Sequence, residues 1–106
     1  MQNHASDIQE VISRHPDKVP VVLVDRLHIM KSTRYITPRD QQVSEFLFHV
    51  RKRTTLRENE ALFLFVNNTI PLASQTMGSL YDKYKGVDLM LTMRVEKENS
   101  FGSYFC

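Results

Sequence analysis

The 106-residue sequence closes with "FGSYFC", residues 101–106, where two aromatics and the one cysteine stand around and beyond a glycine. Cys106 and the four histidines, His4, His15, His28 and His49, carry the groups best suited to nucleophilic, acid–base or metal chemistry. They are scattered without the close pairs that metal sites use, so no metal is expected. A Ser/His/Asp or Cys/His triad assembles in space and is left open by sequence order. No glycine elbow, phosphate loop or paired-carboxylate signature occurs, and the chain has three glycines in all. The expectation is a protein that is not itself an enzyme and uses no cofactor.

Three short motifs have simpler readings. "HPD" at His15, Pro16 and Asp17 matches the tripeptide of J-domain co-chaperones, but there it joins two helices and here a β-branched run follows at once. Pro16 reads as a helix stop. "NNT" at Asn67 to Thr69 fits a glycosylation acceptor, yet no secretory route accompanies it, and a turn accounts for it. "RKR" at Arg51 to Arg53 reads as a solvated helix end whose cations complement the dipole. With 14 basic against 12 acidic side chains the net charge is +2, and nucleic-acid binding is not expected.

At 42% hydrophobic and 25% charged, the composition is that of a globular domain with one core. A chain of this length buries more than about 60% of its unfolded surface, enough to fold without staples. One cysteine points to a reducing compartment, with the cytoplasm as the default. The longest apolar runs, "VPVVLV" and "ALFLFV", are far shorter than the roughly 20 residues of a membrane helix, and "MQNHASD" has no signal-peptide core.

The elements that must position any site follow from periodicity. Ile8, Val11 and Ile12 behind a Ser6 or Asp7 cap predict a short amphipathic helix over 6–14. "KVPVVLV", 18–24, predicts a buried strand with Pro20 near its start, and about 29–37 predicts an evenly polar edge strand ending at Pro38. Val43, Phe46, Leu47 and Val50 predict a central helix beginning at Asp40 or Gln41. "ALFLFVNNTIPL" predicts a strand, an Asn67-Asn68 turn with positive φ and a short return strand. "ASQTMGSLYDKY" predicts a brief helix and "VDLMLTMRV" a last strand. After the first helix the order is ββαββαβ, an α+β, ubiquitin-like β-grasp: a four-stranded mixed sheet packed on a central helix. The last strand of that fold runs through the sheet centre and projects its terminus, which draws attention to Gly102. In "ALFLF" one face of the alternation is Ala61, Phe63 and Phe65; facing outward, the phenylalanines would form an apolar interaction patch, and the other reading is that a further element covers them.

"HPDKVPVVL", "YITPRDQQVSEFLFHVRKR", "ALFLFVNNTIP" and "ENSFG", at mutually consistent spacing from about Asp7 to Gly102, resemble the GABARAP family, the autophagy-related protein eight group of ubiquitin-like modifiers, here with a shortened N-terminus. The resemblance implies a precursor cleaved by a processing cysteine protease between Gly102 and Ser103, so that 1–102 is the ubiquitin-like domain and 103–106 a propeptide. Activating and conjugating enzymes would then pass the Gly102 carboxylate to phosphatidylethanolamine, placing a cytoplasmic precursor on the autophagosome membrane. A glycine suits this, since without Cβ it lets catalytic groups approach its carbonyl closely, and Phe101 would anchor the segment. Two acyl chains supply membrane attachment at about 0.8 kcal/mol per buried CH₂.

The resemblance also implies recruitment of cargo receptors whose aromatic-x-x-aliphatic motifs add a strand to the second strand. The aromatic pocket would use Asp7, Val11, Pro20, Val22, Arg34, Ile36 and Met90. The aliphatic pocket would use Tyr35, Thr37, Pro38, Gln41, Phe46 and His49, with Lys18 and Arg34 facing flanking acidic residues. Phe63 and Phe65 match phenylalanines on the face away from these pockets. Thr37, Gln41 and His49 stand where the family carries aliphatic residues, which makes the second pocket more polar. Met90 replaces an aromatic, and the loop between the first two strands is shorter. The rival readings are a modifier joined to a protein lysine and a β-grasp peptide-binding domain that is never conjugated.

Overall fold

The computed structural model describes residues 4–99, with side chains described over 8–98. The elements are α1 (His4–Arg14), β1 (Lys18–Val24), β2 (Arg34–Pro38), α2 (Val43–Arg51), β3 (Glu60–Phe65), α3 (Met77–Tyr84) and β4 (Leu91–Asn99). They form one mixed sheet in the order β2-β1-β4-β3, with β1 and β4 parallel in the centre and antiparallel partners outside. This is the ubiquitin-like α+β fold that the order of elements predicts. One sheet face, built by Val19, Val21, Leu23, Leu62, Leu64, Leu91, Met93 and Val95, packs against Val43, Phe46 and Val50 of α2 and Met77, Leu80 and Tyr81 of α3. Period-two alternation turns the remaining strand residues to the opposite face, where α1 lies against β1 and the Pro20 side chain is fully buried.

Helix α1 begins two residues before the predicted 6–14 and α3 four residues into the predicted 73–84, and four further boundaries differ for identifiable reasons. Residues 29–33 are not strand, because the Asp25 carboxylate accepts from the Ile29 N–H at 3.3 Å and the Met30 N–H at 2.8 Å, curling the chain back. The Ile29 carbonyl and the Lys31 N–H pair instead with Thr55 and Arg53 beyond α2. Helix α2 starts at Val43, since the Val43 and Ser44 N–H groups donate to Gln75 and Ala73, and the Glu45 carboxylate accepts from the Gln42 N–H at 3.3 Å. Asn67 and Asn68 do take positive φ, 50° and 65°, but the return strand reduces to a single bridge between Val66 and Thr69. Before β4, Leu89 sits at φ 64°, the Asp88 carboxylate accepts from the Met90 N–H, and the Tyr81 hydroxyl donates to the Leu89 carbonyl. Residues 87–90 therefore turn, and the strand begins at Leu91.

The segment leaving β2 is fixed by α3. The Met77 N–H donates to the Gln41 carbonyl and the Gly78 N–H to the Arg39 carbonyl, both at 2.8 Å, so two orphan donors of α3 hold residues 39–41. Thr76 caps the same helix, accepting from the Ser79 N–H at 3.2 Å. Gly78 is required by this approach: a Cβ there would lie 2.9 Å from both the Arg39 carbonyl oxygen and its Cβ. No helix among the described residues is long and apolar enough to cross a membrane.

Candidate functional site

The site is built on β2, which has β1 on one side and lies at the edge of the sheet. Its register sorts its side chains. Tyr35 opposes Val21 and Thr37 opposes Val19, so these two stand on the core face beside α2, whereas Arg34 opposes Val22 and Ile36 opposes Pro20 on the face that α1 covers.

On the α2 side a cavity of about 420 Å³ is lined by Tyr35, Ile36, Thr37, Pro38, Gln41, Phe46, His49, Lys52 and Arg53. The six residues assigned to an aliphatic pocket, Tyr35, Thr37, Pro38, Gln41, Phe46 and His49, all meet here. Phe46, 2% exposed, forms the floor and meets the Tyr35 ring edge-on at 5.7 Å between centroids. The buried Thr37 hydroxyl donates to the Gln41 side-chain oxygen, a polar pair in the wall. Burial pushes the Tyr35 phenol above its usual range; the nearby Arg53 charge and the Ser32 side chain act the other way.

Across β2, the residues assigned to an aromatic pocket gather on the second face. Pro20 and Met90 are buried, Val11 and Val22 half-buried, and Ile36 remains 53% exposed beside the exposed Arg34. Met90 directly precedes Leu91, whose parallel partner is Val21, which sets it next to Pro20. Lys18, half-buried, follows the same alternation as Pro20 and Val22. Asp7 lies in α1 but outside the residues whose side chains are described.

The placement of these residues on opposite faces of β2 has a chemical consequence. Successive side chains of a strand point to opposite faces, so positions three apart also do, separated by about 10 Å at ~3.3 Å per residue. An extended peptide paired to the free edge of β2 would present anchors three residues apart to opposite faces, one to the surface beside α1 and one to the cavity beside α2.

The autophagy protein Atg8 ubiquitin-like family model matches residues 3–102. The chain belongs to the Atg8 family. Solved structures agree: Trypanosoma brucei ATG8 is 33% identical, with TM-score 0.80 over 93% of this chain and 89% of that one. Plasmodium falciparum Atg8, in complex with a peptide of Plasmodium falciparum Atg3, is 26% identical with TM-score 0.77 over 93% of this chain and 91% of that one. The chain is accordingly an Atg8-type ubiquitin-like autophagy protein.

Within this Atg8 fold, Phe63 and Phe65 stand on β3, the other edge, half-buried and alternating with the buried Leu62 and Leu64. The two diverge in environment. Phe63 lines an apolar groove of about 480 Å³ with Leu47, Phe48, Ile70 and Pro71, whereas the Arg94 guanidinium lies 4.7 Å over the Phe65 ring. Phe101, Gly102 and Ser103, assigned to cleavage and conjugation, lie outside the described residues. Lys52 and Arg53 were not assigned to the site from sequence. Their signal was the "RKR" triplet, read as a solvated helix end; it runs past the last residue of α2, and its final two cations line the cavity. Among the described residues no group of three or more His, Cys, Asp or Glu is arranged to hold a metal.

Proposed function

We propose that this Atg8 protein is a lipid-conjugated modifier and docking adaptor of autophagy, with no catalysis of its own. A processing cysteine protease removes 103–106. Activating and conjugating enzymes then join the carboxylate of Gly102 to phosphatidylethanolamine, and the soluble cytoplasmic form moves to the autophagosome membrane. There, cargo receptors with an aromatic-x-x-anchor motif pair with β2. The observation that carries the reading is the free β2 edge with a cavity beside α2 on one sheet face and the apolar set Pro20, Val22, Ile36 and Met90 on the other, which suits anchors at odd spacing. The Plasmodium relative's complex with an Atg3 peptide supports peptide docking in this family.

The pairing also explains how affinity and selectivity divide. Main-chain hydrogen bonds to β2 are blind to sequence, so they hold any extended segment, while the surfaces on its two faces select its side chains. Conjugation through a carboxylate leaves β2 free, since β2 is separated from β4 by β1. One molecule therefore presents lipid and receptor surfaces together.

The test is the intact mass of the chain from membrane and soluble fractions of starved cells, wild type beside Gly102→Ala. The expected result is loss of residues 103–106, with a phospholipid-sized gain in the membrane fraction that the variant lacks. A mass gain equal to a protein joined at lysine would instead make it a protein modifier. Full-length mass in every fraction would leave an unconjugated peptide-binding domain.

A further inference from the structure

The α2-side recess has the wrong lining for a purely aliphatic anchor. Of its nine lining residues, Thr37 and Gln41 place a hydrogen-bonded polar pair in the wall, and His49, Lys52 and Arg53 are nitrogen-bearing residues of the lining. No carboxylate lines it. Neither Lys52 nor Arg53 takes part in an ion pair among the described residues; the four that form use Arg14, Arg39, Arg94 and Lys97. Lys52 is instead directed over the Phe48 ring, its ammonium 4.3 Å from the centroid, and Arg53 is exposed.

We propose that this recess selects a carboxylate side chain, glutamate or aspartate, at the second anchor position of the docked peptide, in place of an aliphatic one. The inference rests on the docking reading above and names the partner class that the α2-side recess takes: an extended segment of the form aromatic-x-x-acidic.

The main chain of Arg53 is anchored beside the recess. The Arg53 carbonyl accepts from the Lys31 N–H at 2.7 Å, and the Arg53 N–H donates to the Val50 carbonyl at 2.9 Å, so the residue is fixed at both ends of its peptide units. Gln41 is held through its carbonyl by the Met77 N–H of α3. Its side-chain oxygen accepts from Thr37, which leaves its amide N–H₂ available as a donor. A guanidinium, an amide and an imidazole thus belong to residues that line one cavity, a donor set that a carboxylate's several lone pairs can satisfy together.

An aliphatic side chain in the same place would cover the Thr37 and Gln41 dipoles and part of the cationic rim while returning no hydrogen bond. The Phe46 floor and the Tyr35 ring remain apolar, and the methylenes of a glutamate can lie on them. The charge of Arg53 is felt at the Tyr35 hydroxyl, where it opposes the effect of burial.

Fluorescence anisotropy with three labelled peptides tests the inference. They share one alanine-based sequence and carry Trp-x-x-Glu, Trp-x-x-Leu or Ala-x-x-Glu. At low ionic strength the Trp-x-x-Glu peptide is expected to bind about tenfold more tightly than Trp-x-x-Leu, as for one charge-assisted hydrogen-bonded contact. That advantage is expected to shrink to under about twofold in Arg53→Gln or at high salt, because the contact is at a screened, exposed rim. Lys52→Gln should reduce it in the same direction, and it serves if the Arg53 variant folds poorly. Equal or tighter binding of Trp-x-x-Leu, with both tryptophan peptides beating Ala-x-x-Glu, overturns the carboxylate preference and leaves docking intact. Absence of binding by either tryptophan peptide, or indifference to the tryptophan, overturns the docking reading itself.

Discussion

The two edges of the sheet present the same backbone groups to a partner but different surroundings. At β2 a strand of alternating half-buried and exposed residues has a polar cavity on one face and a largely apolar surface on the other. At β3 the inner face meets an apolar groove shared with α2 and ends in the Lys97–Glu60 ion pair, while on the outer face Arg94 lies over Phe65 and bonds Glu96 and Asn68. A free edge becomes a receptor for one class of peptide when both of its faces offer a surface for side chains, because alternation then supplies two readings of the incoming residues. Cross-strand pairs occupy the outer face of β3, which is one of the ways proteins keep an edge from recruiting partners indiscriminately.

The largest effect should come from the residue that supports the β2 edge from beneath. Phe46 is buried under the cavity and against Tyr35, so Phe46→Ala should cost about 3–5 kcal/mol of stability, seen as a lower midpoint in urea. A loss under about 1 kcal/mol would mean that the floor of the cavity is not part of the core. Gly78→Ala comes next. Its Cβ would meet the Arg39 carbonyl at 2.9 Å and push the 39–41 segment away, at about 1–3 kcal/mol. The variant should therefore weaken peptide binding as well as stability, since Gln41 belongs to that segment; unchanged affinity would separate α3 from the site.

A paired substitution then separates the edges directly. Ile36 is exposed, so Ile36→Asp should change stability by roughly 0.5 kcal/mol or less, yet lower affinity for the Trp-bearing peptides by at least about tenfold. Phe63→Asp, at the other edge, should leave that affinity within about twofold. Anisotropy titrations of the two variants check both; equal losses would erase the distinction between the edges.

What the sequence carried of this, and what it did not, follows from the range of the interactions. Alternation and helical spacing are local, so β1, α2 and the edge position of β2 were legible from residues such as Val19, Val21, Phe46 and Val50. The failures were specific side-chain contacts that periodicity does not report. Residues 29–33 read as strand because nothing local announces that Asp25 will take the Ile29 and Met30 N–H groups. Residues 87–90 read as strand because the turn is held by Tyr81 and Asp88. At the site, the six assigned residues of the α2-side cavity came from a family resemblance, and no spacing rule would have joined Tyr35 to His49. Lys52 and Arg53 were missed because a cation after a helix reads as a dipole partner, and their second role depends on where the 25–33 loop holds the chain.

The smallest expected effect concerns acid, and it sharpens the contrast at the β3 edge. Glu60 starts β3 opposite Asn99; its carboxylate accepts from the Arg57 N–H at 2.8 Å and from the Lys97 ammonium at 3.1 Å. The Arg57 hydrogen bond first, and then Lys97, hold its carboxyl below the ordinary 4.5. A carboxyl whose pKa is lower in the folded state favours folding when ionised. Its contribution is therefore complete above about pH 4.5 and disappears as the pH falls through the lower folded value. Asp82, held down by Arg39 beside Gly78, acts with the same sign below its ordinary 3.8. Melting temperatures of wild type and Glu60→Gln should differ at pH 7 and converge at the acid end of the range over which the fold persists. Amides of β3 nearest Glu60 should then exchange faster in acid, relative to their intrinsic rates, than those of β1. If the two melting curves keep a constant separation through this range, the Glu60 contacts contribute through packing and not through charge. In that case β4 would be secured near its end by the strand ladder alone.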